Sequence, residues 1–147
     1  EFKKVDLAEL AKKSAELVQV DAKAKDVEVD IEFAGPLLCR CDEDLMTQVM
    51  LNLLSNAIDA ISGGGTVKIG GEKYTYSLSF WVEDDGPGIG TLAEGKLFEP
   101  FFTTKKSGTG LGLAICHQIV LQHGGTIEVS RGPSGGARFT VNLLERH

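Results

Sequence analysis

Few of the residues that commit a chain to a special environment are present here. Only 3 of 147 residues are cysteines. Cys39 and Cys41 stand two apart rather than in the C-x-x-C spacing of metal and redox sites, and an odd count closes no disulfide framework. The three read as plain reduced thiols of a cytosolic protein. Long apolar runs are missing too: Leu111–Cys116 and Ile119–Leu121 fall far short of the ~20 residues that span a bilayer, and no signal peptide opens the chain. Basic blocks are absent, and 15 Lys+Arg against 21 Asp+Glu leave a net charge of −6. That balance offers no electrostatic footprint to nucleic acid or to an anionic membrane, so neither is an expected partner. Internal repeats and low-complexity segments are lacking. Residues 1–147 therefore read as one folded domain with a core of its own. Glu1-Phe2 looks like the start of a piece cut from something longer. The expected location is the cytoplasm, with any membrane anchor left to the full-length protein.

Glycine is what the chain has in excess. There are 18 against 4 prolines, roughly 12% where about 7% is usual. Gly86, Gly88, Gly90, Gly95, Gly108, Gly110 and Gly112 crowd into one stretch, which points to a local backbone function. Gly63–Gly65, Gly124-Gly125 and Gly135-Gly136 read as stops and turns.

Apolar residues at Leu7, Leu10, Ala11, Ala15, Leu17 and Val18 predict one amphipathic helix over Leu7–Ala22, capped by Asp6. Val27–Phe33 alternates strictly, as a strand with one buried face does. Gly35-Pro36 ends it. A short strand at Leu37–Cys41 follows, and Asp42 caps a second helix that runs to about Ile61. Val67–Glu72 and Ser77–Glu83 read as paired strands, Leu111–Gln122 as a third helix, and Thr126–Ser130 with Ala137–Leu143 as a hairpin. Strands arriving mostly in hairpins, with three helices between them, predict an α+β two-layer sandwich. Residues 87–107 are the anomaly, since a structureless run of this length in a small domain is uncommon and tends to be a lid or binding loop.

Three constellations carry chemistry. On the second helix, Asn52, Asn56 and Asp59 share a narrow arc at the border of the apolar stripe. Asparagine is a poor helix former, so either these amides bond locally or to water, or they form a ridge of oxygens able to ligate a hard cation such as Mg²⁺. Next, the strand Phe80–Glu83 runs into Asp84-Asp85-Gly86-Pro87-Gly88. A carboxylate at a strand end followed by glycines lets the backbone approach a flat ligand closely and accept hydrogen bonds from a base amine, although Asp-Asp-Gly is also an ordinary turn. Finally, Ser107-Gly108-Thr109-Gly110-Leu111-Gly112 opens the third helix. Exposed N–H groups there form a phosphate seat, and the P-loop alternative fails because no Gly-Lys-Ser/Thr follows. Lys105 and Lys106 stand where a cation would meet phosphate, or are ordinary exposed lysines.

The order of these pieces resembles the sensor histidine kinases over nearly the whole chain. Asn52-Leu53-Leu54-Ser55-Asn56 is similar to their N box, Asp84-x-Gly86-x-Gly88 to the first glycine box, Leu97–Lys105 to the F box, and Gly108–Leu113 to the second glycine box. The resemblance implies the Bergerat ATP-binding fold, a mixed, mostly antiparallel sheet under three helices with a flexible ATP lid at about 87–107. It implies Mg²⁺ on Asn56 with Asn52 assisting, both catalytic, and the adenine amine on Asp84. Around the nucleotide it would place Gly86, Gly88, Ile89, Phe98, Thr104, Lys105, Gly108, Thr109, Gly110, Leu111 and Gly112. Asp59 stands where many of these kinases hold a basic residue, so it implies no phosphate contact.

The family's phosphoacceptor histidine sits in a separate dimerisation domain, and nothing like its motif is present here. His117 and His123 read as structural or solvent-facing, and His147 is terminal. The chain is thus expected to bind ATP and donate the γ-phosphate to a histidine on its own dimerisation domain, serving a response regulator indirectly. The isolated domain would be a monomer. ATPases of the same fold, among them gyrase, carry a glutamate at the position matching Asn52, where it activates water. An amide cannot take that proton, which favours transfer to a supplied nucleophile. A serine kinase acting as an anti-sigma factor and an inactive docking module are the further alternatives.

Overall fold

The computed structural model describes residues 1–61, 63–86, 111–133 and 135–144. Strand β1 (Phe2–Asp6) leads directly into α1 (Leu7–Leu17). Asp6 makes this junction, because its Oδ1 accepts the Ala8 N–H as a helix cap and the Leu37 N–H from a distant loop, each at 3.0 Å. The expected single first helix is broken at Val18, and α2 (Gln19–Ala24) continues it. Two causes coincide. The Ser14 hydroxyl donates back to the Leu10 carbonyl at 2.8 Å, a bond that bends helices, and Val18 and Val20 are β-branched and stiff against the preceding turn. Val18 itself stays buried.

Among the described residues five strands form the main sheet: β2 (Val27–Phe33), β4 (Gly65–Lys73), β5 (Ser77–Asp84), β6 (Thr126–Arg131) and β7 (Ala137–Leu144), in the order β2-β4-β5-β7-β6. Only β2 and β4 run parallel. Between them the chain passes through β3 (Leu38–Asp42) and α3 (Glu43–Ala60), the crossover that a parallel pair requires. The other pairs are antiparallel. Strand β3 instead pairs with β1 as a separate ribbon. That first strand was not legible in the sequence, since Val5 alone of its five residues is buried.

Pleating decides which residues meet the helices. Leu78, Phe80 and Val82 on β5 stand beside Ile69, Phe139, Val141 and Leu143 of the neighbouring strands, all at 3% exposure or less. Against this face pack α1, α3 and α4 (Leu111–Gln122), through Leu7, Leu10, Met46, Met50, Leu53 and Val120 among others. Each such side chain contributes ~1.5–3 kcal/mol by leaving water. The other face of the sheet is polar: the Ser79 hydroxyl donates to Asn142 Oδ1 at 2.6 Å, and Asn142 Nδ2 donates to Thr126 at 3.3 Å. The expected two-layer α+β sandwich is what the chain forms.

Helix α3 is capped as its sequence predicts, with Asp42 Oδ1 accepting the Leu45 N–H at 3.0 Å. Glu43 and Asp44 in its first turn suit the positive end of the helix dipole. Behind the same Asp42, His123 is buried at the end of α4. Its Nε2 accepts the Asp42 N–H at 3.1 Å, so the proton sits on Nδ1, which donates to the Ile119 carbonyl at 2.8 Å. Phe2 stacks on the ring with centroids 4.6 Å apart. His123 is therefore a structural joint between β1, α3 and α4, in keeping with the structural reading of its sequence position.

Candidate functional site

The alternation Leu78, Phe80, Val82 has a fourth member, and it is a carboxylate. Asp84 takes the helix-facing side at the end of β5 and is 3% exposed. Its Oδ1 accepts the Gly86 N–H at 2.9 Å and, from the start of β7, the Ala137 N–H at 3.4 Å. Burial nonetheless dominates and raises its pKa above the ordinary carboxylate value, with the two N–H bonds pulling the other way. A buried carboxylate held at the mouth of a fold in this state is a candidate for ligand recognition.

Its neighbours in the chain have other tasks. Glu83 points to the opposite face, where the Arg138 Nε donates to its Oε1 at 2.8 Å and the guanidinium carbon lies 4.9 Å from the centre of the Trp81 ring. Asp85 is exposed and accepts the Thr66 N–H at 3.1 Å, tying the turn to the start of β4. Three consecutive acids thus hold a sheet face, a buried helix-facing position and a turn.

Close approach brings the remaining walls in. A Cβ on Gly86 would lie 2.8 Å from the Ala60 carbonyl, so only glycine lets the Asp84 turn seat against the end of α3. Further back on α3, Asn52 and Asn56 are half-buried and one helical turn apart on the same side. Asn52 Nδ2 reaches the Gly112 carbonyl at 3.5 Å, placing α3 beside the first turn of α4. Cys116, one turn further on, donates to the Val49 carbonyl at 3.8 Å, and burial pushes its thiol pKa up to about 12 while the Asn52 side chain opposes the shift. Asp59 is exposed.

Asn52, Asn56, Asp84, Gly86 and Gly112 are thus gathered along one seam between the end of β5, α3 and the start of α4. Leu111 begins α4. Gly88, Ile89, Phe98, Thr104, Lys105, Gly108, Thr109 and Gly110, with the rest of the expected lid, lie outside the described residues. Among the described residues no group of three or more His, Cys, Asp or Glu could hold a metal ion. The oxygen donors that α3 brings to the seam, those of Asn52 and Asn56, are neutral amides. They fit Mg²⁺, which takes few protein ligands and the rest of its shell from water and phosphate, better than a caged resident metal.

One part of the seam escaped the sequence reading, which made Gly136 a mere turn residue. Among the described residues of that turn, Gly135 alone adopts the left-handed backbone, at φ 91°. Gly136 is buried, and a Cβ on it would collide with the Asp84 backbone carbonyl and lie 2.6 Å from its Oδ1. The available signal was redundancy, because a turn with one left-handed residue among those described carries three glycines, Gly132, Gly135 and Gly136.

Comparison with known proteins identifies the family and the fold. A family model described as histidine kinase-, DNA gyrase B-, and HSP90-like ATPase matches residues 41–147. The sensor histidine kinase ZraS of Escherichia coli O157:H7 is 41% identical over 140 residues, which cover 95% of this chain and 31% of that protein. The chain spans less than a third of the length of the curated relatives it first matches. Among solved structures, the nucleotide-free catalytic domain of histidine kinase ThkA superposes with a TM-score of 0.89 at 32% identity, covering 99% of this chain and 98% of that one. Full-length ShkA in complex with AMPPNP gives 0.89 at 29% identity, covering 100% of this chain and 32% of that one.

Proposed function

Because the chain belongs to the histidine kinase-, DNA gyrase B-, and HSP90-like ATPase family and has the catalytic-domain fold of sensor histidine kinases, we propose that it binds Mg-ATP and donates the γ-phosphate to a histidine on a separate dimerisation domain. The observation that carries this reading is the buried Asp84 beside the Asn52–Asn56 ridge and the start of α4. The bound AMPPNP of ShkA supports the nucleotide.

Asp84 accepts the exocyclic amine of adenine. Gly86 keeps the turn low enough for the flat base to lie over it, and Gly88, Ile89 and Phe98 complete that end. The backbone of Gly108, Thr109, Gly110, Leu111 and Gly112 holds the phosphates with Lys105 and Thr104. Asn56, assisted by Asn52, supplies amide oxygens to Mg²⁺, which would neutralise charge on the transferring phosphoryl group. Phosphoryl transfer asks mainly for positioning and electrostatics, and an amide at position 52 leaves no base there to activate water. The nucleophile is therefore one that a partner brings.

Residues 1–147 act as one unit with a lid at about 87–107, monomeric alone and cytoplasmic. The partner is the dimerisation domain of the same kinase, with a response regulator next in line and no nucleic acid or membrane contact by this domain. The test mixes the domain with γ-labelled ATP and that helical partner. Acid-labile label on histidine supports the proposal. Rapid hydrolysis by the domain alone would favour the ATPase reading, acid-stable label on serine the anti-sigma kinase, and intact fold without nucleotide binding an inactive docking module.

A further inference from the structure

Gly136 is held to its small size by contact rather than by conformation: among the described residues its turn takes its left-handed residue from Gly135, while Gly136 lies where any side chain would strike Asp84. Its successor, Ala137, is the first residue of β7 and sits opposite the end of β5, where the register pairs Glu83 with Arg138. From that place the Ala137 N–H donates to Asp84 Oδ1, and the Gly86 N–H donates to the same oxygen from the other turn. Two donors, one from the turn after β5 and one from the first residue of β7, converge on this oxygen and oppose rotation of the carboxylate.

We propose that Gly136 and the Ala137 N–H are positioning residues for purine recognition: by letting the β6–β7 turn close on Asp84, they hold its carboxylate in the orientation that accepts a 6-amino group. This rests on the reading of Asp84 as the adenine-binding residue. Loosening the turn frees the carboxylate to rotate, which weakens a directional bond to the base and leaves the phosphate end of the site untouched. The consequence is confined to discrimination between bases.

The test compares ATP with purine riboside triphosphate, which lacks only the 6-amino group, by direct titration of the folded domain. Wild type prefers ATP by at least about tenfold, as expected where a site is built to bond a polar group. Asp84→Ala abolishes that preference, which checks the underlying reading. Gly136→Ala reduces it to within about threefold through loss of ATP affinity, with binding of the analogue unchanged within about twofold. Ala137→Pro removes the N–H at the first position of a strand, where proline is tolerated, and acts the same way. It decides the matter if Gly136→Ala fails to keep native circular dichroism. Retention of the full preference in a folded Gly136→Ala or Ala137→Pro, while Asp84→Ala loses it, overturns the proposal. Equal weakening of both nucleotides also overturns it, because that is the mark of a merely structural role. If Asp84→Ala keeps the preference, the reading of Asp84 fails instead.

Discussion

Glu83 and Asp84 follow one another on β5, are almost equally hidden from water at 5% and 3% exposure, and lie on opposite faces of the sheet. On Glu83's side a guanidinium 2.8 Å away answers the charge and stacks on Trp81. On Asp84's side the carboxylate takes backbone N–H bonds, and burial still raises its pKa. The first arrangement closes a surface. The second keeps a charge desolvated at the seam where two helices and two turns converge, a state that costs stability and is useful to a ligand carrying a donor.

Removing each acid should separate the two roles. Asp84→Ala should weaken ATP binding by about 10- to 100-fold, the worth of a hydrogen bond to a charged group, while circular dichroism stays native. Wild-type affinity in this variant would erase the contrast. Glu83→Gln or Arg138→Gln should do the reverse, lowering stability by about 1–3 kcal/mol in denaturant titrations, less than a fully buried pair because Arg138 is partly exposed. ATP affinity of the folded fraction should not change.

A smaller effect sharpens the comparison through pH. The folded-state pKa of Asp84 is raised, so between the unfolded and folded values the native state holds the extra proton and stability falls as pH rises. Asp84→Asn should therefore melt higher than wild type at about pH 7, and the advantage should vanish near pH 3, below the unfolded carboxylate range. An advantage that grew towards acid would contradict the assigned cause. The smallest effect concerns thiols. Cys39, Cys41 and Cys116 are buried, with Cys116 pushed up to about 12 by burial and Cys41 raised by its contact with Cys39. Iodoacetamide at about pH 8 should label none of them until denaturant is added.

Much of this contrast was written in the chain. Period-2 alternation placed β2, Asp6 and Asp42 announced the helix starts, and the Asn52–Asn56 pair at the border of an apolar stripe pointed to the candidate site. What stayed hidden depends on contacts distant in sequence. β1 exists because β3 pairs with it, the break at Val18 follows from a hydroxyl bonded back to Leu10, and Gly136 owes its role to Asp84, 52 positions earlier. Local patterns report which face a residue takes; they do not report which turn will close on it.

The most direct test of two faces with two roles follows a ¹⁵N-labelled domain through titration with Mg-AMPPNP. The chain has one tryptophan, whose indole N–H reports from the Glu83 face. The account predicts large shifts for the Gly86, Gly112 and Ala137 amides and for the Asn52 and Asn56 side-chain amides, with the Trp81 indole unmoved. Shifts at the indole and at Lys68, the β4 residue paired with Glu83, with the Asp84 seam silent would contradict it.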